Sequence, residues 1–540
     1  MWTLGTQDRL DGIRQVVLVA TLLLGLMFSS LDASIVSTSL VSISLDLQDF
    51  LNAPWVVLAY LLAYLGFAIG FAKLSDIYGR RQLICVAWVL FSAFSAGCGL
   101  SRSMASLLAQ VVLFEVGPTH KPSLLGALIG MTLAVSFVLG PVLGGVISSQ
   151  VNWRWIFWIN VPFGILSFVV MLFAWPRGVG EGQRLSPWDA IRKVDLLGNA
   201  LILCATTLMV FALQEAGTFT YAWDSPAIVT SLSFASLSWV GFMTWEIFLG
   251  VKRHTRVEPI LPLRLVTHRV YLGALVCTLF TGYSYLSLLI IIPERFQIVN
   301  GENALWSGIH LLPMLGSTAF GSFLAGALSS KRNNTSPTLI AASCLQLAGT
   351  GLLSTLSDVT TEIKAQYGYQ VVLGLGIGLS LGAATIMTSV QASRADLAVA
   401  QGAVAQARVF GGAVGIAVCS ILFNTRVARE MAGAMDPADL EALHRSPTIT
   451  SYLPAAHQQR VRRIYAAAFT ADVVVMMGVA AAAALASLAT FQRRPPPMPN
   501  TPAAAARQQQ ASKDAVMGMG SSGGPSETEL DELVQVRVRG

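Results

Sequence analysis

Charge is scarce in this sequence. Asp, Glu, Lys and Arg together make up 12% of the 540 residues, against about 25% in an ordinary soluble protein. A soluble chain of this length would divide into several domains, each wrapped in polar residues. Those residues are missing, which excludes a soluble enzyme. Net charge is also small: 35 Lys and Arg against 29 Asp and Glu give +6, too mild a balance for a nucleic-acid partner. The six cysteines (Cys85, Cys98, Cys204, Cys277, Cys344, Cys419) all lie inside apolar stretches and form no CxxC pair. That distribution suits small buried hydrophobes and argues against a disulfide frame or metal site. The six histidines show no metal-binding spacing. There is no GxxxxGK[ST] loop to hold ATP. Gly374-Leu375-Gly376-Ile377-Gly378 lies within an apolar run instead of following a strand, and Gly374, Gly378 and Gly382 recur every fourth residue, as in a helix-contact stripe. A primary pump and a membrane enzyme are therefore both without their chemistry, and neither metal nor organic cofactor is expected. No cleavable signal is expected either. Met1 to Ile13 is polar, and the first apolar segment is long enough to stay as an anchor.

What is abundant is apolar sequence, 54% of the chain. It is gathered into runs of the length a spanning helix needs, about 20 residues. Thirteen such runs lie at about 15–39, 53–72, 82–100, 124–148, 155–175, 195–213, 226–249, 270–292, 305–329, 338–356, 367–390, 402–423 and 466–490. A fourteenth, Met104 to Val116, is short. Its length at about 1.5 Å per residue reaches only about 20 Å against a hydrocarbon core of about 30 Å. Charge placement decides in its favour. With fourteen crossings and the N-terminus inside, the inner loops hold eighteen Lys and Arg and the short outer loops four. Removing the short crossing would move thirteen of the eighteen outside, against the positive-inside tendency.

The expected layout is then a cytoplasmic N-terminus at 1–14, a first bundle at 15–175 and a linker at 176–269 that contains two further spans. A second bundle follows at 270–490, with a long, mixed-charge, partly helical extracellular loop at 425–464. Residues 491–540 begin with Pro495-Pro496-Pro497, turn rich in Ala, Gln, Ser and Gly, and read as a disordered cytoplasmic tail. The sequons in Asn333-Asn334-Thr335-Ser336 fall on the cytosolic side, where no glycan is expected.

Within this frame a few residues stand out. Asp32 interrupts the first span in Ser29-Ser30-Leu31-Asp32-Ala33-Ser34-Ile35-Val36. A charged carboxylate at membrane depth costs about 2.5–3.5 kcal/mol even on the lenient scale, so it should face a wet cavity or a partner. Two roles suit it, a titrating group that couples to protons or a structural hydrogen-bonding residue. The loop Gly70-Phe71-Ala72-Lys73-Leu74-Ser75-Asp76-Ile77-Tyr78-Gly79-Arg80-Arg81 combines a turn glycine, Gly79, with Asp76 as an acceptor or cap and with Arg80 and Arg81 to hold helix ends. It reads as a latch between rocking helices or as a plain cytoplasmic anchor. The next span carries Gly140-Pro141-Val142-Leu143-Gly144-Gly145, in which Gly140, Gly144 and Gly145 permit close helix approach and Pro141 bends the helix. After it comes Trp153-Arg154-Trp155-Ile156-Phe157-Trp158-Ile159-Asn160-Val161-Pro162-Phe163-Gly164, an interfacial aromatic belt. Tyr60, Tyr64, Tyr283 and Tyr285 are candidates for the aromatic walls of a ligand cavity, with generic packing as the plainer reading. His310 suits a proton relay or a structural hydrogen bond. Arg408 suits an anion-binding cavity residue or a helix-end anchor.

Together these segments resemble the major facilitator superfamily and, within it, the fourteen-span drug:proton antiporter group of fungal type. Residues 70–81 resemble the superfamily's hallmark loop, 136–145 its antiporter motif, and Trp153 to Gly164 the fourteen-span signature. Asp32 matches the acidic position of the first span. Pro293-Glu294-Arg295-Phe296-Gln297, Ser307 to Pro313 and Arg408 to Gly412 are also similar. The match covers about residues 15–490. The resemblance implies an all-α membrane protein of two six-helix bundles around a central cavity, with two added helices at about 195–249, working by alternating access on a proton gradient. One departure is clear. The family's fourth span carries an arginine followed by a glycine-rich run, whereas Leu100 to Gly117 has neither, as if about 20–25 residues of span and approach were absent. Ala72 in place of the loop's usual glycine is a milder departure.

The function this reading commits to is export of small amphipathic compounds, such as drugs, toxins or secondary metabolites, in exchange for protons. The expected partners are lipid, protons and a small-molecule substrate. The proton gradient serves as the only energy source, the chain is expected to be a monomer, and the plasma membrane is favoured over the vacuolar one. The rivals are an importer of siderophores or other small molecules on the same fold, and a transport-impaired variant that senses or regulates.

Overall fold

The structure is a computed structural model. It describes residues 5–78, 80–108, 126–175, 195–251, 257, 259–261, 263–330, 332–356, 364–392, 396–431, 455–496 and 498; the side chains of 5–13, 67–78, 80, 126–134 and 455–457, with a few single positions, are outside that description. A backbone in hydrocarbon has no water to bond with and must satisfy itself, so long apolar runs become helices. The chain follows that rule. In order, the helices are α1 (Gly5–Asp46), α2 (Pro54–Tyr78), α3 (Arg80–Leu100), α4 (Gly126–Gln150), α5 (Trp155–Trp158), α6 (Asn160–Ala174), α7 (Leu196–Gly217), α8 (Pro226–Val251), α9 (Leu263–Val266), α10 (Arg269–Ile298), α11 (Ala304–Leu328), α12 (Thr335–Ser354), α13 (Ala365–Gln391), α14 (Leu397–Met431) and α15 (Ala455–Leu488). Among the described residues, eleven helices are long and apolar enough to cross a membrane, and the apolar stretches Pro54–Gly66 and Val138–Gln150 add parts of α2 and α4. Each of the thirteen runs expected from the sequence coincides with one of these elements. The short fourteenth begins as helix at residues 104–108, and from 109 onward it falls outside the described residues.

The helices outrun the apolar sequence at several ends. α1 begins at Gly5 instead of about 15, α14 continues to Met431 and α15 starts at Ala455. The expected 425–464 loop is thus helical at both flanks, and its middle, 432–454, is outside the described residues. The polar continuation of α14 is supported by an Arg426 Nε–Glu430 Oε1 pair at 2.8 Å, a favourable i,i+4 spacing. Polar caps fix other ends: Asp195 accepts from the Gly198 amide at 2.8 Å, and Asn303 accepts from the Trp306 amide at 2.9 Å.

Two bundles result. In the first, α1 packs on α4 and α6, and α3 packs on α6. In the second, α10 packs on α14 and α15, α11 on α13, and α12 on α13 and α15. The glycine stripe of α13 turns to α11: a methyl group at Gly382 would stand 2.6 Å from the Ala325 methyl and 2.9 Å from the Ser322 carbonyl. The added helix α7 lies along both bundles. Asn199 donates to the Gly66 carbonyl of α2 at 3.0 Å, while Gln214 donates to Ser420 of α14 at 3.3 Å. The buried core is continuous across the molecule, since one apolar cluster joins Leu31, Ile35, Leu58 and Ile156 to Ile290, Ala413 and Ile416. Facing outward are large apolar side chains such as Phe173, 80% exposed, and Phe323, 70% exposed. Water would not tolerate that surface and lipid does. Cysteine partition follows the same geometry. Cys98, Cys277 and Cys419 are buried as expected, but Cys204 and Cys344 face outward along spanning helices.

Candidate functional site: a buried carboxyl and the seams around it

Asp32 sits near the middle of α1 and is 5% exposed. Its Oδ1 accepts from Asn160 Nδ2 at 2.8 Å. The same amide reaches Ser95 Oγ on α3 at 3.5 Å. Asn160 is the first residue of α6, just after the break that separates it from α5, so the aromatic run supplies the partner. Asp32 Oδ2 and Asn160 Oδ1 are buried without hydrogen-bond partners. Among the described residues no Lys or Arg pairs with Asp32. The carboxyl is therefore held by a neutral donor on one oxygen and is open on the other. An amide N–H₂ donates equally well to a carboxylate oxygen and to the carbonyl oxygen of a carboxylic acid, so this geometry accommodates both protonation states.

The glycine–proline segment of α4 forms two seams. Towards α1 it is hydrogen-bonded. Ser34 Oγ donates to the Ser136 carbonyl at 3.3 Å, Thr38 Oγ1 to the Pro141 carbonyl at 3.1 Å, and Ser39 Oγ to the Gly144 carbonyl at 3.2 Å. Ser148 Oγ donates to Ser39 Oγ at 2.7 Å. Gly140 and Gly144 are the positions where α1 lies too close for a side chain. Towards α11, in the other bundle, the contact is bare. A methyl group at Gly145 would stand 2.5 Å from the Ala304 carbonyl and from Leu305 Cα, and Gly308 lies against the Pro141 carbonyl. α4 remains helical through Pro141.

In the 70–81 loop, α2 ends at Tyr78 and α3 begins at Arg80. Gly79 and the side chains of Asp76 and Arg80 lie outside the described residues. Arg81 donates through Nη2 to the Leu172 carbonyl of α6 at 2.9 Å, a cation on the last turn of a helix.

Arg408, on α14, brings the two halves together. Tyr64 of α2 and Tyr285 of α10 lie within electrostatic reach of its guanidinium, and its Nε is buried without a hydrogen-bond partner. Two residues before it on α14, Gln406 Nε2 donates to the Leu65 carbonyl of α2 at 3.0 Å. Tyr60 is half-buried and donates to the Ser29 carbonyl at 3.4 Å. Tyr283 does not join this group. Two residues along a helix is a rotation of about 200°, and Tyr283 instead lies beside Cys419 and Asp472, inside the second bundle. His310 is also elsewhere. Its Nε2 meets Glu302 Oε2 at 2.9 Å, its Nδ1 meets the Tyr367 hydroxyl at 2.5 Å, and its ring stacks on Phe296 at 4.6 Å. That box lies at the end of the bundle carrying the 299–303 connection.

The aromatic run divides likewise. Trp155 is 56% exposed and suits a belt, but Trp153 and Phe157 are buried. Trp153 donates to Asp46 Oδ2 at 3.0 Å beside the Arg154–Asp46 ion pair at 2.7 Å. Sequence reasoning did not single out Asn160, Gln406 or Asp472. It quoted Glu294 without giving it a role.

Comparison with known proteins agrees with this architecture. A family model described as the Major Facilitator Superfamily matches residues 22–416. An MFS-type transporter of Fusarium mangiferae, FPY5, is 36% identical over 482 residues, covering 85% of this chain and 80% of that protein. The MFS-type efflux transporter pyiT of Pyricularia grisea is 28% identical over 486 residues, covering 84% and 77%. Among solved structures, a bacterial homolog of the human lysosomal transporter Spinster shares the fold with a TM-score of 0.56 at 16% identity, over 89% of this chain and 99% of that one.

Proposed function

The chain belongs to the Major Facilitator Superfamily, and we propose that within it this protein exports small amphipathic compounds in exchange for protons by alternating access. It is an integral, multi-pass membrane transport protein and not an enzyme. Its relatives are MFS-type transporters, several of fungal origin, and two carry efflux in their names, the P. grisea transporter and the aspyridones efflux protein of Neocamarosporium betae. Those names support the outward direction and a secondary-metabolite substrate.

The observation that carries proton coupling is Asp32. It is buried in a spanning helix, bonded to a neutral amide, and open on one oxygen. A carboxyl in that setting changes charge at membrane depth when it takes or loses a proton. That change alters what the surrounding helices will tolerate. The energy suffices: one pH unit is worth about 1.4 kcal/mol per proton, and 100 mV adds about 2.3 kcal/mol per charge. Tyr64, Tyr285 and Arg408 meet where both bundles contribute, which suits contact with a substrate that both halves must release. The crowding of positive charge into alternate loops supports cytoplasmic termini, so the end carrying 47–53 and 299–303 faces outward. We favour the plasma membrane as the site of export.

The test uses the full chain in proteoliposomes, with ethidium as a lipophilic-cation probe and an imposed pH gradient. Uphill accumulation is expected in the wild type. Asp32→Asn is expected to abolish gradient-driven accumulation while downhill exchange of ethidium continues. An Asp32→Asn protein that still accumulates the probe at the wild-type rate would remove Asp32 from coupling.

A further inference from the structure

The second bundle holds an acidic pair that the reading above does not use. Asp472 lies mid-way along α15 and is 1% exposed. Glu294 lies on α10, near enough for its charge to act on Asp472. The residues between them are polar in a way packing alone does not require. Tyr283, Ser287 and Glu294 are spaced by four and seven residues, which places them on one face of α10. That face meets α14, where a methyl group at Gly415 would stand 2.5 Å from Ser287 Oγ and 2.7 Å from the Tyr283 carbonyl. Cys419, one turn on, lies beside Tyr283 and Ser287 and within reach of both carboxyls.

What points to a ligand is the set of buried atoms left over. Asp472 Oδ1 has no hydrogen-bond partner, and the hydroxyls of Tyr283, 6% exposed, and Ser287, 1% exposed, have only the weakly bonding thiol of Cys419 beside them. Leaving such groups unmade costs about 1–3 kcal/mol each. A cavity lies along the same two helices, α10 and α15, lined among others by Arg295, Asn300, Gln370, Thr470 and Val473 and not by the acids themselves. It includes a chain neighbour of each acid and reaches the 299–303 connection. Gln370 is buried there with an unpartnered Oε1. Most of the lining is apolar, but Arg295, Asn300, Gln366, Gln370 and Thr470 supply the several polar partners that a held water needs, and water brings protons. Besides the pair, α15 itself carries Tyr465, buried two turns before Asp472, and α13 and α11, which pack on α10, carry Tyr367, Tyr369 and His310. α10 offers Tyr283 and Arg295, whose Nη2 is spent on the Leu356 carbonyl at 2.9 Å. α14 offers Cys419. α12, which also packs on α15, carries no Asp, Glu, Lys, Arg, His or Tyr, and its Cys344 is exposed. No cation among the described residues pairs with either acid.

We propose that Asp472 and Glu294, with Tyr283 and Ser287, form a second proton-binding site, built within the second bundle and loaded from the outer end separately from Asp32. Uptake of one proton from the water of the cavity forms one O–H bond on one carboxyl and removes one negative charge from the pair; release to water reverses it. Because the two acids feel each other, they titrate as one coupled unit. The inference rests on the transporter reading only for its purpose, since a bound proton there would raise the number exchanged per cycle.

The experiment is acid-minus-base infrared difference spectroscopy on the purified full chain in detergent, following the carboxyl C=O stretch, which needs no substrate. Asp472→Asn is expected to remove one carboxyl band and to move the pH midpoint of the Glu294 band. Glu294→Gln should do the reverse, and Asp32→Asn should leave both bands in place. Should Asp472→Asn fail to fold, Glu294→Gln and Tyr283→Phe carry the test, the latter shifting the Asp472 band without removing it. The proposal is overturned if Asp472→Asn leaves the carboxyl bands unchanged, or if Glu294→Gln removes its own band and leaves the Asp472 midpoint unmoved. A chain that moves no ethidium yet keeps both coupled bands defeats the transport reading alone. A chain that exports ethidium through Asp32 yet lacks these bands defeats the second site alone.

Discussion

α4 presents its glycines to two neighbours, and the two seams are built differently. Against α1, within its own bundle, it is stitched by Ser34, Thr38, Ser39 and Ser148 through side-chain hydrogen bonds to α4 carbonyls and to one another. Against α11, across the bundles, glycine meets backbone at Gly145 and Gly308. Near that second seam the side chain of Gln297 crosses from α10 to α1, donating to the Thr38 carbonyl at 3.3 Å. In lipid, hydrogen bonds between helices hold position, while close van der Waals contact of small residues can part and re-form without leaving polar groups stranded. The contrast assigns rigidity to the first seam and motion to the second.

The largest effect should come from filling the bare seam. Gly145→Val or Gly308→Val forces a side chain into space already held by the facing backbone, at a cost of about 1–3 kcal/mol to the closed outer end. A bias of that size moves a two-state equilibrium by about 5- to 150-fold. Spin labels at Gln48→Cys and Thr355→Cys, both at the outer end, are expected to report a longer distance, with ethidium efflux falling by a similar factor. An unchanged distance distribution would mean that this seam does not open.

The stitched seam should answer differently. Thr38→Val and Ser39→Ala each remove bonds to α4 while keeping volume close, a loss of about 0.6 kcal/mol apiece for interhelical hydrogen bonds in membranes. The expected outcome is a lower thermal midpoint, with the spin-label distance and efflux rate within about twofold of wild type. If instead the distance changes and the thermal midpoint does not, the roles of the two seams are reversed.

That division was only partly legible in the sequence. The thirteen runs emerge as helices because hydrocarbon leaves a backbone no other choice. Their ends were misjudged where polar sequence extends a helix beyond the membrane, as at Arg426 and Glu430 in α14, because hydropathy stops counting there. Asp32 stood out as a lone acid in an apolar run. Asp472, in Thr470-Ala471-Asp472-Val473, offered the same signal and passed unnoticed. Asn160 was hidden by its aromatic neighbours, which read as a belt until the break at Ile159 turned the amide inward. Pairing Tyr283 with Tyr285 ignored helical rotation, which sends one to Asp472 and the other to Arg408. The glycines of α4 announced close approach, but which helix each would meet depends on packing between segments far apart in the chain, information no local pattern holds.

The smallest effect is expected at Gln297, and it sharpens the comparison most. Its bond to the Thr38 carbonyl links α10 to the stitched helix α1 and is long for an N–H···O contact. If the moving seam is held mainly by backbone fit, Gln297→Met, which keeps the length of the side chain and removes its donor, costs no more than about 0.6 kcal/mol. The population of the closed outer end then shifts less than about threefold, and the Gln48–Thr355 distance distribution barely changes. A shift of tenfold or more would show that one amide does what the glycines were assigned to do. The outer closure would then be a polar latch, released by breaking a bond, and the small residues of α4 and α11 would serve only to let that latch come near.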